Sequence, residues 1–78
     1  MTKSVFTAKY ARFRKLLVAA RAEAGLTQEQ LATKLGWEQT DVSKAERGVR
    51  RLDLIEFLAF AKAIGIDVTS FIRDLEQK

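Results

Sequence analysis

Apolar residues recur along this chain at helical spacing rather than in strand-like alternation. Phe6, Tyr10, Phe13, Leu17 and Ala20 fall three or four positions apart, the interval that lines one side of an α-helix. They predict a first helix from about Thr7 to Ala24, preceded by an N-terminal arm over residues 1–6. Leu31, Ala32 and Leu35 mark the inner face of a second helix, and Val42 and Ala45 that of a third from Gln39 to Arg47. A fourth segment from Asp53 carries Leu54, Ile55, Phe57, Leu58, Phe60, Ala61 and Ile64. So broad an apolar surface predicts a central helix. Phe71, Ile72 and Leu75 supply a short fifth helix from about Val68 to Leu75.

The polar residues between these runs punctuate them. There is no proline, and the four glycines, Gly25, Gly36, Gly48 and Gly65, each stand where one apolar series yields to the next. Glycine is favoured just past a helix end because it takes the left-handed conformation without a Cβ clash. Thr27 with Gln30 and Asp53 with Glu56 have the spacing of capping boxes, in which two side chains satisfy orphan backbone donors reciprocally. Asp67 is placed to cap the fifth helix. The expected fold class is therefore all-α, with five helices in one domain over residues 1–78.

Composition narrows the chemistry. A chain of 78 residues, 47% apolar, can bury one core but has no room for a separate ligand-sensing domain. Cysteine and histidine are both absent, which removes disulfides, thiolate nucleophiles, the usual zinc ligands and the commonest general base. No phosphate-binding glycine loop is present, and the carboxylates are scattered or assigned to caps. An enzyme is not expected, nor a cofactor or metal. With neither a signal-peptide pattern nor a long apolar run, the expected location is cytoplasmic, without a membrane partner.

The net charge is +4, which favours polyanionic partners without specifying one. Before Glu23 every charged residue is a cation: Lys3, Lys9, Arg12, Arg14, Lys15 and Arg21. Lys44, Arg47, Arg50 and Arg51 form a second basic cluster. A solvated surface explains such runs equally well.

The stretch QEQLATKLGWEQTDVSKAER, residues 28–47, is more specific. It joins two short amphipathic helices through a tight turn, with Ala32 small enough for close approach and Gly36 suited to the turn. Leu31, Leu35, Trp37, Val42 and Ala45 would form the shared core. With RAEAGLTQEQLATKLG before it and RRLDLIEFLAFAKAIGID after it, the chain resembles the Cro/C1-type, or XRE, helix-turn-helix regulators over Leu16 to Ile72. The resemblance implies a lambda-repressor-like domain whose motif lies at 28–47, followed by C-terminal helices over 53–75. It also implies that the helix Gln39 to Arg47 enters the major groove of DNA.

Plotted at about 100° per residue, Thr40, Ser43, Lys44 and Arg47 lie opposite Val42 and Ala45, with Gln39 and Asp41 at the margins. Gln39, Thr40, Ser43 and Lys44 are the candidates for base contact. An amide at Gln39 can meet both the N6 and N7 edges of adenine, whereas Lys44 suits guanine or a phosphate, and the two hydroxyls suit bases or backbone. Gln28, at the start of the motif, is the position where the resemblance implies a phosphate contact beside a helix N-terminus. Arg47, Arg50 and Arg51 suit a phosphate clamp. Arg21 and Glu46 are implied to form a structural ion pair between the first and third helices.

Two residues depart from the pattern. Glu38 stands at the third helix's N-cap, where the family places serine or threonine, and its charge repels phosphate. Asp41 would face DNA with a like charge unless it accepts from cytosine, and pairing with Lys44 is the expected alternative.

The function these features imply is sequence-specific binding to double-stranded DNA by a small transcriptional regulator, as a homodimer on a palindromic operator. Phe71, Ile72 and Leu75 are the candidates for the dimer surface, unless they are consumed by the core. The alternative is a protein-interaction module built on the same fold, such as an antitoxin partnered by a toxin, or a bridging factor that recruits polymerase.

Overall fold

Each helix ends where a backbone bond takes over from the helical ladder. In the computed structural model, which describes residues 2–77 and the side chains of 8–77, the elements are α1 (Thr2–Glu23), α2 (Gln28–Leu35), α3 (Gln39–Arg47), α4 (Leu54–Ile64) and α5 (Val68–Glu76). Following α1 to α4, the N–H groups of Leu26, Trp37, Val49 and Ile66 donate to the carbonyls of Arg21, Ala32, Lys44 and Ala61, five residues back. That is the Schellman closure, with an apolar residue next to the glycine folding back over the helix end. At Gly48 the backbone is left-handed, with φ +82°, and a Cβ would come within 2.7 Å of Arg14 Nε.

The helix starts follow the sequence closely. Thr27 and Gln30 bond reciprocally at 3.0 and 2.9 Å, and Asp53 and Glu56 at 2.8 and 3.0 Å, so both expected capping boxes form. Asp67 accepts from Thr69 N–H at 3.2 Å. The first helix begins at Thr2, ahead of the expected start near Thr7, and takes in most of the segment read as an arm. Phe6, expected on its core face, lies outside the residues whose side chains are described.

Leu17, Leu31, Val42 and Phe60 are fully buried, and Ala32, Ala45, Ala61, Phe57 and Phe71 nearly so. Phe13, Phe57 and Phe71 form a ring cluster with centroids 5.1–5.8 Å apart, joining α1, α4 and α5. Trp37 meets Phe60 edge-on at 5.2 Å, so it is a core residue of the turn rather than a platform for bases. α2 and α3 pack on each other, and α1 and α4 form the support behind them.

Two expectations are corrected here. Phe71 was a candidate for a dimer surface, but only 7% of it is exposed, because its ring completes the aromatic cluster; Ile72 is exposed and Leu75 half-buried. α4 is not a fully enclosed central helix either. Phe57, Phe60 and Ala61 face the core, whereas Leu54, Ile55 and Leu58 lie in solvent. Among the described residues no helix is long and apolar enough to cross a membrane.

Candidate nucleic-acid interface

The placement of α3 follows from what it buries. Val42, Ala45 and Glu46 point inward, leaving Gln39, Thr40, Lys44 and Arg47 exposed and Asp41 and Ser43 half-exposed along the outer side. All of the expected base-contact candidates therefore share one accessible face. Arg47 Nε donates to Ser43 Oγ at 3.1 Å, coupling a hydroxyl that faces outward to a guanidinium one turn further on.

Glu46 is the charged residue among the buried set, with 7% exposure, and its burial is compensated. Arg21 donates from Nε to Glu46 Oε2 at 2.6 Å and from Nη2 to Oε1 at 3.0 Å, a two-pronged pair. Arg21 Nη1 also donates to the Leu26 carbonyl at 2.8 Å, so the guanidinium ties α1 to α3 and to the loop before α2. The ion pair implied by the resemblance is thus present in the geometry.

Beyond that pair, the hydrogen bonding runs outward to the surface. Gln28 Nε2 donates to Glu46 Oε1 at 2.8 Å, and Gln39 Nε2 donates to Gln28 Oε1 at 2.6 Å. The direction of this relay is dictated by chemistry. A carboxylate only accepts, so Gln28 must turn its NH2 toward Glu46 and its carbonyl toward Gln39. Gln39 must then present its own NH2 to Gln28. What remains free on Gln39 is one N–H donor and the carbonyl oxygen, the pair that an adenine edge accepts from and donates to.

Gln28 therefore has a role that reading along the chain did not reveal: it orients Gln39. Arg21, Thr27, Gln28, Glu29 and Gln39 line a polar cleft of about 440 Å³ at the N-terminal ends of α2 and α3. First-turn N–H groups of a helix lack intrahelical acceptors and favour anions.

The basic cluster divides. Lys44, Arg47 and Arg51 are exposed, and Arg51 lies over the Tyr10 ring at 4.2 Å from its centroid. Arg50, also expected in the phosphate clamp, is committed elsewhere. Its guanidinium covers the Trp37 ring at 4.3 Å and Nη2 bonds Glu56 Oε2 at 2.8 Å. Arg50 Nη1 is buried without a partner, and Nη2 is engaged by a carboxylate, although the side chain as a whole is 37% exposed. It fastens the loop after α3 to the turn before it.

The bond to Arg50 holds the Glu56 carboxyl below its ordinary value near 4.5 and raises the Arg50 guanidinium above its own. A carboxylate with a lowered folded pKa adds stability above its unfolded value and loses it as pH falls through the folded one. We expect stability to decline below about pH 4.5, and Glu56→Gln to flatten that decline in denaturant titrations at pH 3 to 5. An unchanged slope would show that the Arg50–Glu56 bond does not contribute.

Asp41 also differs from expectation. Rather than pairing with Lys44, its Oδ2 accepts from the Glu38 N–H at 3.2 Å, closing the start of α3. Asp41 thus satisfies the Glu38 N–H from the third helical position.

Three of the cations of α1 are engaged by other helices of the domain. Arg12 Nη2 donates to the Asp74 carbonyl at 2.7 Å and Lys9 pairs with Glu76 at 3.2 Å, both at the end of α5. Arg14 Nη1 donates to the Glu46 carbonyl at 3.0 Å near the end of α3. Positive groups there satisfy orphan carbonyls and complement the helix dipole. Nothing in the local sequence pattern points to these bonds, which join residues far apart along the chain.

A helix-turn-helix family profile matches residues 17–71. Among solved structures, an XRE-family like protein from Pseudomonas syringae pv. tomato str. DC3000 superimposes with a TM-score of 0.92 at 45% identity, over 96% of this chain and 92% of that one. Comparison with curated proteins gives no match.

Proposed function

Because the chain belongs to the helix-turn-helix family of DNA-binding regulators, we propose that it reads a palindromic DNA operator as a homodimer, with α3 in the major groove. The observation that carries this reading is the oriented amide of Gln39. Its free donor and acceptor stand at the exposed start of α3, held by Gln28 and, through it, by Glu46. Thr40, Ser43 and Lys44 extend the base-facing edge, while Arg47, Arg51 and the N-terminal end of α2 at Gln28 flank it as phosphate contacts. Arg50 serves this interface indirectly, by fixing the loop from which Arg51 projects.

One short helix reads few base pairs, so a two-fold pair of half-sites about 34 Å apart is the expected target. Selection from random duplex DNA should enrich a palindrome with that spacing and adenine at the positions nearest Gln39. Affinity for the selected site should fall steeply, by roughly three orders of magnitude or more, between about 50 and 200 mM salt if six or more phosphates are contacted. Enrichment of no sequence would defeat the proposal. A tight protein partner, such as a toxin or a polymerase subunit, with DNA ignored at low salt would favour an interaction module instead.

A further inference from the structure

Tyr10 touches two consecutive residues of the loop that follows α3, although 42 positions separate it from Leu52 along the chain. Its hydroxyl oxygen accepts from the Leu52 N–H at 3.0 Å, and the Arg51 guanidinium lies over its ring at 4.2 Å from the centroid. The first contact fixes the backbone at the end of the loop, and the second fixes the side chain one residue earlier. Tyr10 is itself half-buried and supported from within. Its ring meets Phe13 at 5.3 Å, and Phe13 belongs to the aromatic cluster with Phe57 and Phe71. Adjoining rings therefore run from the core of the domain out to the exposed Arg51.

Arg51 is held differently from the other arginines around the end of α3. Arg14 donates from Nη1 to the Glu46 carbonyl, Arg47 from Nε to Ser43 Oγ, and Arg50 from Nη2 to Glu56. Each of these commits part of its fork to an acceptor inside the domain. A cation over an aromatic ring is attracted by the π face and needs no N–H···O bond. Because a guanidinium is planar and carries its donors in that plane, one seated over a ring keeps its fork for two oxygens of a phosphate. A long side chain that is already seated also loses less rotamer freedom on binding than one that moves freely in solvent.

We infer that Tyr10 is a positioning residue for DNA binding: its ring and hydroxyl preset Arg51 as a two-pronged phosphate ligand. This rests on the proposed reading of DNA and adds α1 to the elements that build the contact with the DNA backbone. The effect falls on affinity and not on base choice, because phosphate contacts carry no direct sequence information.

The full chain and its variants, each shown to fold by circular dichroism, should be compared in binding to the selected operator and to random duplex. Tyr10→Leu should weaken both by about three- to tenfold, with the adenine preference at Gln39 unchanged. Arg51→Ala should weaken both by roughly tenfold and lower the salt slope by about one per bound chain. Adding Tyr10→Leu to Arg51→Ala should then cost less than about twofold more, whereas a purely structural role would repeat its full loss in either background. Proton magnetic resonance gives a readout without DNA. The ring current of Tyr10 should shift the Arg51 Cδ protons upfield in the wild type and in Tyr10→Phe, and not in Tyr10→Leu. Should Tyr10→Leu fail to fold, the same cycle is run with Tyr10→Phe, whose loss of about twofold through the missing Leu52 bond should vanish in the Arg51→Ala background. Losses that add in full, undiminished affinity in Arg51→Ala, or a wild-type chain without the upfield shift overturns the inference. A wild-type chain that shows the shift yet ignores every duplex at low salt defeats the DNA reading itself.

Discussion

Arg21→Ala is expected to destabilise the domain by about 3 kcal/mol, the lower end of the cost of stranding a buried charge. Glu46, with a side chain 5% exposed, would lose both guanidinium bonds and keep only the Gln28 amide. In a domain of this size such a loss lowers Tm by roughly 12–24 °C. Arg21→Lys should recover little, because an ammonium cannot span both carboxylate oxygens and the Leu26 carbonyl at once. Replacing both partners by apolar groups, as in the double variant Arg21→Met with Glu46→Leu, should recover much of the stability while leaving DNA reading impaired. Thermal unfolding of the four proteins checks this. An Arg21→Ala chain that melts with the wild type would mean that the pair is not what holds α1 to α3.

Gln39→Ala should reduce discrimination at one base pair by about 1–3 kcal/mol, roughly 5- to 150-fold, with little change in the salt dependence. The relay sharpens this expectation. Gln28→Ala leaves the Gln39 amide in place but free to rotate, so preference for adenine should weaken at the same position, by less than in Gln39→Ala. Gln28→Glu sets a second carboxylate against that of Glu46 and should harm both folding and binding. Competition binding with operators altered at each position provides the measurement. Equal losses at every position would reassign Gln39 to a phosphate contact.

The secondary structure is largely legible in the amino-acid order. Thr27 with Gln30 and Asp53 with Glu56 announce helix starts because each pair meets within one turn. The glycines announce helix ends because only the adjoining residues form the closure. The outer face of α3 was legible for the same reason: Val42 and Ala45 fix its inner side, and the helical period places the rest. Asp41 departs from its expected pairing although its partner is also local. Both Lys44 and the Glu38 N–H lie within its reach, and the tighter turn to the backbone prevails.

The basic residues could not be sorted along the chain. Arg50 and Arg51 are neighbours with the same charge, but Arg50 meets Trp37 and Glu56 while Arg51 stays exposed over Tyr10. Arg12 and Arg14 look like part of a basic stripe until folding brings the ends of α5 and α3 beside them.

What the amino-acid order determined alone was therefore the five helices, the buried sides of α2 and α3 and the exposure of the helix that carries Gln39, since those depend on forces acting within a turn or two. The tertiary structure decided which cations are left for DNA, which way the Gln28 and Gln39 amides point, and which side of α4 stays uncovered. Those outcomes depend on groups from distant segments meeting at a few ångströms, where one hydrogen bond or one covering ring settles whether a charge is available or occupied.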